Sequence, residues 1–185
     1  MTSRDPTLTI RTDHFEDLLQ ELARRGEGVR ESGAFLLTPI DTAAGSPRPV
    51  TDTAYYDDLD PDCLTGGISF GAIGYSALNR YCRRQGVQVA ADIHTHPGPL
   101  VRQSRIDRDN PMIALPGHVA IIVPHFAQGR ILPTDLGVHV FGGAEGWTST
   151  YGRAVTETLL VEPVSKAPSW TFPIIRRLFR MGERR

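Results

Sequence analysis

Residues 87–97, Val87-Gln88-Val89-Ala90-Ala91-Asp92-Ile93-His94-Thr95-His96-Pro97, constrain this chain more than any other segment. Val87, Val89, Ala91 and Ile93 alternate with Gln88, Ala90, Asp92 and His94, a period of two that predicts a β-strand. The strand delivers His94 and His96 at its C-terminal end. Side chains two apart on an extended backbone point the same way, so both imidazoles can reach one metal ion. Ser104 and Asp107 follow, and Asp107, eleven residues after His96, adds a carboxylate. Three protein ligands leave the fourth position of a tetrahedral ion open, the arrangement of a catalytic zinc rather than a structural one.

Length and composition set the frame for this motif. A chain of 185 residues predicts one domain that can bury a core without disulfides. The net charge of -1 gives no global basic field, which argues against nucleic acid as a partner. No run of about 18 apolar residues predicts a membrane span, and residues 1–6 have no apolar stretch of the signal-peptide kind. Cys63 and Cys82 lack zinc-finger or redox spacing. Free thiols in a cytoplasmic protein are the expectation.

The remaining elements follow from periodicity and punctuation. Leu8-Thr9-Ile10 reads as a strand. Asp13 reads as an N-cap with Glu16 completing a capping box, and Phe15, Leu18, Leu19 and Leu22 give one apolar helical face. Gly26 and Gly28 stop that helix. Residues 33–38 predict a buried strand, 41–49 a loop, and 50–56 a second strand. A helix is expected over about 70–84, with Ile73, Ala77 and Tyr81 on one stripe, Leu78 and Cys82 beside it, and Gly86 closing it. Further strands are expected at 118–124, 137–141 and 147–151, the last two around Gly142-Gly143. This order predicts an α/β domain, a mixed β-sheet flanked by helices, over residues 1–162. Residues 163–185 read as a tail broken by Pro163, Pro168 and Pro173, with a short basic amphipathic helix around Ile174–Arg180.

Zinc suits two imidazoles and a carboxylate. Hydrolysis also needs a carboxylate outside the ligand set to carry the proton, and Glu31, before the apolar run from Gly33, is the candidate. The Ser104 hydroxyl is the candidate donor to a developing oxyanion.

His-x-His-Pro, six residues, Ser, two residues, Asp, with a glutamate opening an upstream strand, resembles the JAMM (MPN-plus) zinc metallopeptidase family. The resemblance runs from about Leu8 to Tyr151, and short loops liken the chain to the compact prokaryotic, JAB-like branch. It implies a JAMM/MPN-like, cytidine-deaminase-like single domain. It also implies zinc on His94, His96 and Asp107, with Glu31 and Ser104 in catalysis. The implied substrate is a ubiquitin-like protein or its conjugate, with activating or conjugating enzymes as associated partners. Only ten residues separate Asp107 from His118, which leaves little room for a large insertion. Two alternatives stand beside this reading: a peptidase that processes a sulfur-carrier protein, and a non-catalytic MPN-type interaction module.

Other roles for the same residues remain open at this level. Asp109 rivals Asp107 as ligand, and Glu27 is a weaker rival of Glu31. Ser104-x-x-Asp107 also fits a helix capping box. Asp92 is a polar group on the strand face or a partner orienting a histidine. His118, His125 and His139 read as ordinary core or surface histidines. Gly66-Gly67 is a loop signal without a phosphate-binding pattern.

Overall fold

A computed structural model describes residues 7–164 apart from 44 and 66. The tail helix expected around 174–180 therefore lies outside the described residues. In chain order the elements are β1 (Leu8–Arg11), α1 (Thr12–Gly26), β2 (Gly33–Pro39), β3 (Arg48–Val50), β4 (Asp52–Tyr55), α2 (Tyr56–Leu59) and α3 (Ala72–Gln85). They continue with β5 (Val87–Thr95), α4 (Arg105–Asp109), β6 (Val119–Val123), β7 (Gly137–Phe141), β8 (Trp147–Tyr151) and β9 (Leu159–Glu162). Single 3-10 turns fill several of the connections.

Six strands form the main sheet in the order β4-β2-β5-β6-β7-β8, and β3-β1-β9 form a smaller one. In the main sheet only β5 and β6 are parallel. The fold is thus the expected mixed α/β type. Its two layers of core follow from strand alternation. On one face Ala34, Leu36, Ala91, Ile93 and Ile121 pack under α1, which buries Phe15, Leu18, Leu19 and Leu22. On the other, Phe35 and Leu37 pack with Tyr56, Leu59 and Leu78. Strand β5 is central in the sheet, between β2 and β6, and with packing on either side of the sheet both its faces are buried from Ala90 onward.

Three local expectations are corrected. Helix α1 begins at Thr12, with Arg11 as an N-cap that makes no side-chain capping bond. Asp13 lies inside the first turn, where it pairs with the Arg11 guanidinium and still favours the positive end of the helix dipole. Strand β1 runs straight into the helix and leaves no connecting residue for a cap. In α3, Ile73 is 74% exposed, and the buried positions are Gly74 and Leu78. The Phe70 ring lies across the first turn where a Cβ on Gly74 would collide with it, and this sets the rotation of the helix. The 50–56 strand divides into β3, β4 and the start of α2. Strand β9 carried no signal of its own: four residues, paired in parallel with β1 from the far end of the chain.

Among the described residues no helix is long and apolar enough to cross a membrane. Cys63 and Cys82 are free thiols.

Candidate metal centre

The antiparallel pairing of β2 with β5 assembles the site. Gly33 lies opposite His94, and Ser32 continues the pairing, since the Thr95 N–H donates to its carbonyl at 2.9 Å. Glu31, the residue before Ser32, lines the same cleft as His94 and His96 and lies within electrostatic reach of both. Sixty-odd residues of sequence separation thus vanish through backbone pairing alone. Gly33 is required there because a Cβ would meet the Tyr56 ring and stand 2.8 Å from the Ile93 carbonyl.

The two histidines present the same nitrogen to one point. His94 Nε2 and His96 Nε2 are 3.3 Å apart. The His96 Nδ1 lies 2.9 Å from the Leu100 carbonyl oxygen. A carbonyl only accepts, so Nδ1 carries a proton and Nε2 is the nitrogen whose lone pair can turn to a metal once the ring has one proton. Asp107 closes the triangle, with Oδ1 3.8 Å from His94 Nε2 and Oδ2 3.4 Å from His96 Nε2. These three residues could hold a metal ion: their ligand atoms all lie within 4.8 Å of one another. The fit is also geometric, because two nitrogens each about 2.05 Å from a tetrahedral ion lie about 3.3 Å apart.

Asp107 is placed by the turn that carries it. Ser104 caps α4: its Oγ accepts from the Asp107 N–H at 3.2 Å, and its own N–H donates to Asp107 Oδ2 at 2.7 Å. The capping box and the ligand role therefore coexist. The cap uses a lone pair of the Ser104 hydroxyl and leaves its proton free to donate into the cleft. The rivals fall away. Asp109 is exposed and bonds Arg105 at 3.3 Å, and Glu27 is exposed and faces Arg30.

The two carboxylates of the cleft are driven in opposite directions. Burial alone would raise the pKa of Asp107, but the His96 hydrogen bond, the nearby His94 and the Ser104 contacts hold it well below the usual carboxylate range. Burial raises the pKa of Glu31, and the neighbouring histidines only partly oppose it. The Glu31 carboxylate has no hydrogen-bond or ion-pair partner among the described residues, and it faces the cleft. One carboxylate kept ionised beside another kept protonatable is the pattern of a ligand beside an acid–base group. The cleft has a volume of about 610 Å³ and an apolar flank formed by Phe70, Tyr75, Met112 and Trp147.

Three supports had weak or no sequence signals. Asp92, two residues before His94 on the same strand face, bonds His118 Nε2 at 2.5 Å and lies 3.9 Å from His94 Nδ1; Tyr56 donates to its other oxygen at 3.4 Å. The alternation of β5 pointed to Asp92, but nothing linked His118 to it. Next, His125, Phe126 and Ala127 form a left-handed turn, with φ of 56°, 52° and 59°, a conformation costing about 1–2 kcal/mol per residue outside glycine. The turn grips the histidine segment: the Phe126 N–H donates to the His96 carbonyl at 2.8 Å and the His125 N–H to that of Gly98 at 3.1 Å. Last, His139 bonds the loop after His96, as described below.

No family model matches the chain. Solved structures do resemble it. A Desulfitobacterium hafniense protein superposes with a TM-score of 0.58 at 16% identity, covering 84% of this chain and 93% of that one. A Salinibacter ruber protein gives 0.53 at 19% identity, covering 87% and 95%. Both share the fold, and neither name states an activity. A JAB1/MPN domain protein from Archaeoglobus fulgidus covers 85% of this chain and 98% of its own at 17% identity, but its TM-score of 0.37 is too low to say anything of this chain.

Proposed function

We propose that this chain is a zinc-dependent peptidase or isopeptidase of the JAMM type, cleaving after the C-terminus of a ubiquitin-like protein. The observation that carries this reading is the convergence of His94 Nε2, His96 Nε2 and Asp107 in a cleft that also holds an unpaired, half-buried Glu31. A zinc ion held by those three residues would polarise the scissile carbonyl and bring the pKa of a water down to about 7.

The chain's own residues supply the rest. Glu31 takes a proton from the attacking water and returns it to the leaving nitrogen, a double role that its burial-raised pKa favours. Ser104 donates its free hydroxyl proton to the oxygen of the tetrahedral centre. The Ser104 cap holds Asp107 and the left-handed turn holds the His96 backbone, which orients both side chains toward the metal position. An extended C-terminal tail can add to the sheet edge at β8, whose Trp147 lines the cleft. Short loops leave few contacts for the group on the amine side, so recognition falls on the ubiquitin-like body. Its conjugating enzymes would be the associated partners.

The test pairs zinc-loaded protein with ubiquitin-like proteins fused or conjugated to several different leaving groups, alongside unstructured peptides of the same scissile sequence. Cleavage should persist across leaving groups and require the folded ubiquitin-like body. Efficient cutting of the peptides alone would replace this substrate class with a generic peptidase. Zinc binding without any turnover would leave a non-catalytic module.

A further inference from the structure

Residues 97–104 join the two halves of the ligand set, with His96 before them and the Ser104–Asp107 turn at their end. No strand or helix forms within this stretch, so its path must be set by contacts made from elsewhere. The Val101 carbonyl supplies one. It lies against β7, where His139 Nε2 is 3.0 Å from its oxygen. A Cβ on Gly137 would collide with that same oxygen, so the approach depends on a glycine two residues before the histidine.

The protons on His139 can be assigned. The Val101 carbonyl can only accept, so Nε2 bears hydrogen. Burial lowers the pKa of His139 and so favours the neutral ring, whose lone pair is then on Nδ1. Ser149 Oγ lies 2.8 Å from Nδ1 and is its donor. A hydrogen-bond chain thus runs from Ser149 on β8, through His139 on β7, to the loop between the ligands. His139 is fully buried. A residue that only filled this space would be apolar, because a buried polar ring is costly unless each nitrogen is satisfied.

We propose that His139 is a positioning residue that docks the 97–104 loop on the sheet and so sets Ser104 and Asp107 against His94 and His96. The clamp itself stands on geometry alone; its consequence for metal binding rests on the metal-centre reading above.

The experiment uses the full chain and four variants, His139→Phe, His139→Gln, Gly137→Ala and Ser149→Ala. The first readout is amide hydrogen exchange over residues 98–107 in protein stripped of metal, with β5 as the internal reference. Exchange in the loop should rise in His139→Phe and Gly137→Ala while β5 stays protected. His139→Gln, whose amide N–H can still reach a carbonyl, should return it most of the way. The second readout is zinc affinity by chelator competition, which should fall about 10–100-fold in His139→Phe, the usual scale for losing a group that orients ligands. The fall should be smaller in His139→Gln and Ser149→Ala. If His139→Phe does not fold, Gly137→Ala tests the same contact without removing a polar group. Unchanged loop exchange in the folded variants overturns the clamp, whatever zinc does. Loosened loops in the variants of a chain whose wild type binds no zinc would keep the clamp and defeat the metal-centre reading instead.

Discussion

The Asp92 carboxylate and the His118 imidazole, 2.5 Å apart, form a buried pair directly beneath His94. Both side chains are almost completely buried, Asp92 on β5 and His118 immediately before the adjacent β6. Removing one partner leaves the other polar group stranded, which typically costs about 3–5 kcal/mol. Chemical denaturation of His118→Leu should show a loss on this scale. Asp92→Leu/His118→Leu should lose much less, because no charge is left behind. Equal losses in the single and double variants would mean that the pair contributes only its packing.

Metal binding should follow the three convergent ligands and ignore their neighbours. About one zinc per chain is expected. His96→Ala and Asp107→Ala should lose most of it, while Asp109→Ala, at an exposed position paired with Arg105, should retain it. Elemental analysis of the purified variants distinguishes these cases. Equal zinc in wild type and His96→Ala would sink the ligand assignment.

Glu31→Gln should keep zinc and fold but lose about 10²–10⁴-fold in turnover, the range of a general acid–base group. The amide preserves the shape of the side chain and cannot take a proton. Near-normal turnover in this variant would shift the role to another carboxylate.

Much of this site was legible because its signals are local. The alternation of β5 placed His94 and His96 on one face, and Ser104-x-x-Asp107 wrote both a cap and a candidate ligand into four residues. What sequence could not show is set by pairing across strands. Glu31 shares a cleft with the histidines only because β2, which begins two residues after it, pairs with β5 in one register. His118 and His139 look ordinary in the sequence, and their partners Asp92 and Val101 lie 26 and 38 residues away. The cap expected at Asp13 failed for a similar reason: capping patterns assume a loop before the helix, and here β1 supplies a strand.

Acid should weaken the ion pairs that brace the C-terminal half of α1. Glu21 pairs with Arg24 and Arg25, and Arg25 reaches on to Asp57 and Asp58. Led by the Arg24 hydrogen bond, and against partial desolvation, these partners lower the Glu21 pKa to about 2. The unfolded value is about 4.3. Because the folded pKa is the lower one, the contribution is complete above about pH 4.3 and lost as pH falls to about 2. Thermal melting across that window should fall less steeply in Glu21→Gln than in wild type. Identical slopes would show that solvent screening removes the effect.

The observed cap of Ser104 and its proposed oxyanion role can be told apart by two substitutions. As an N-cap, its hydroxyl oxygen accepts from the Asp107 N–H. As an oxyanion donor in the proposed mechanism, it would offer its proton to the reacting carbonyl. Ser104→Ala removes both and should cost about 0.5–2 kcal/mol through the cap. Ser104→Gly removes the hydroxyl too, but glycine at an N-cap costs only a few tenths of a kcal/mol. If the hydroxyl stabilises the transition state, both variants should lose about 10²–10³-fold in kcat, with little change in KM. Zinc content should then hold better in Ser104→Gly than in Ser104→Ala, because Asp107 keeps more of its turn. If turnover instead tracks stability, so that the glycine variant is nearly as active as wild type, Ser104 serves Asp107 alone and the oxyanion donor must be sought elsewhere in the cleft.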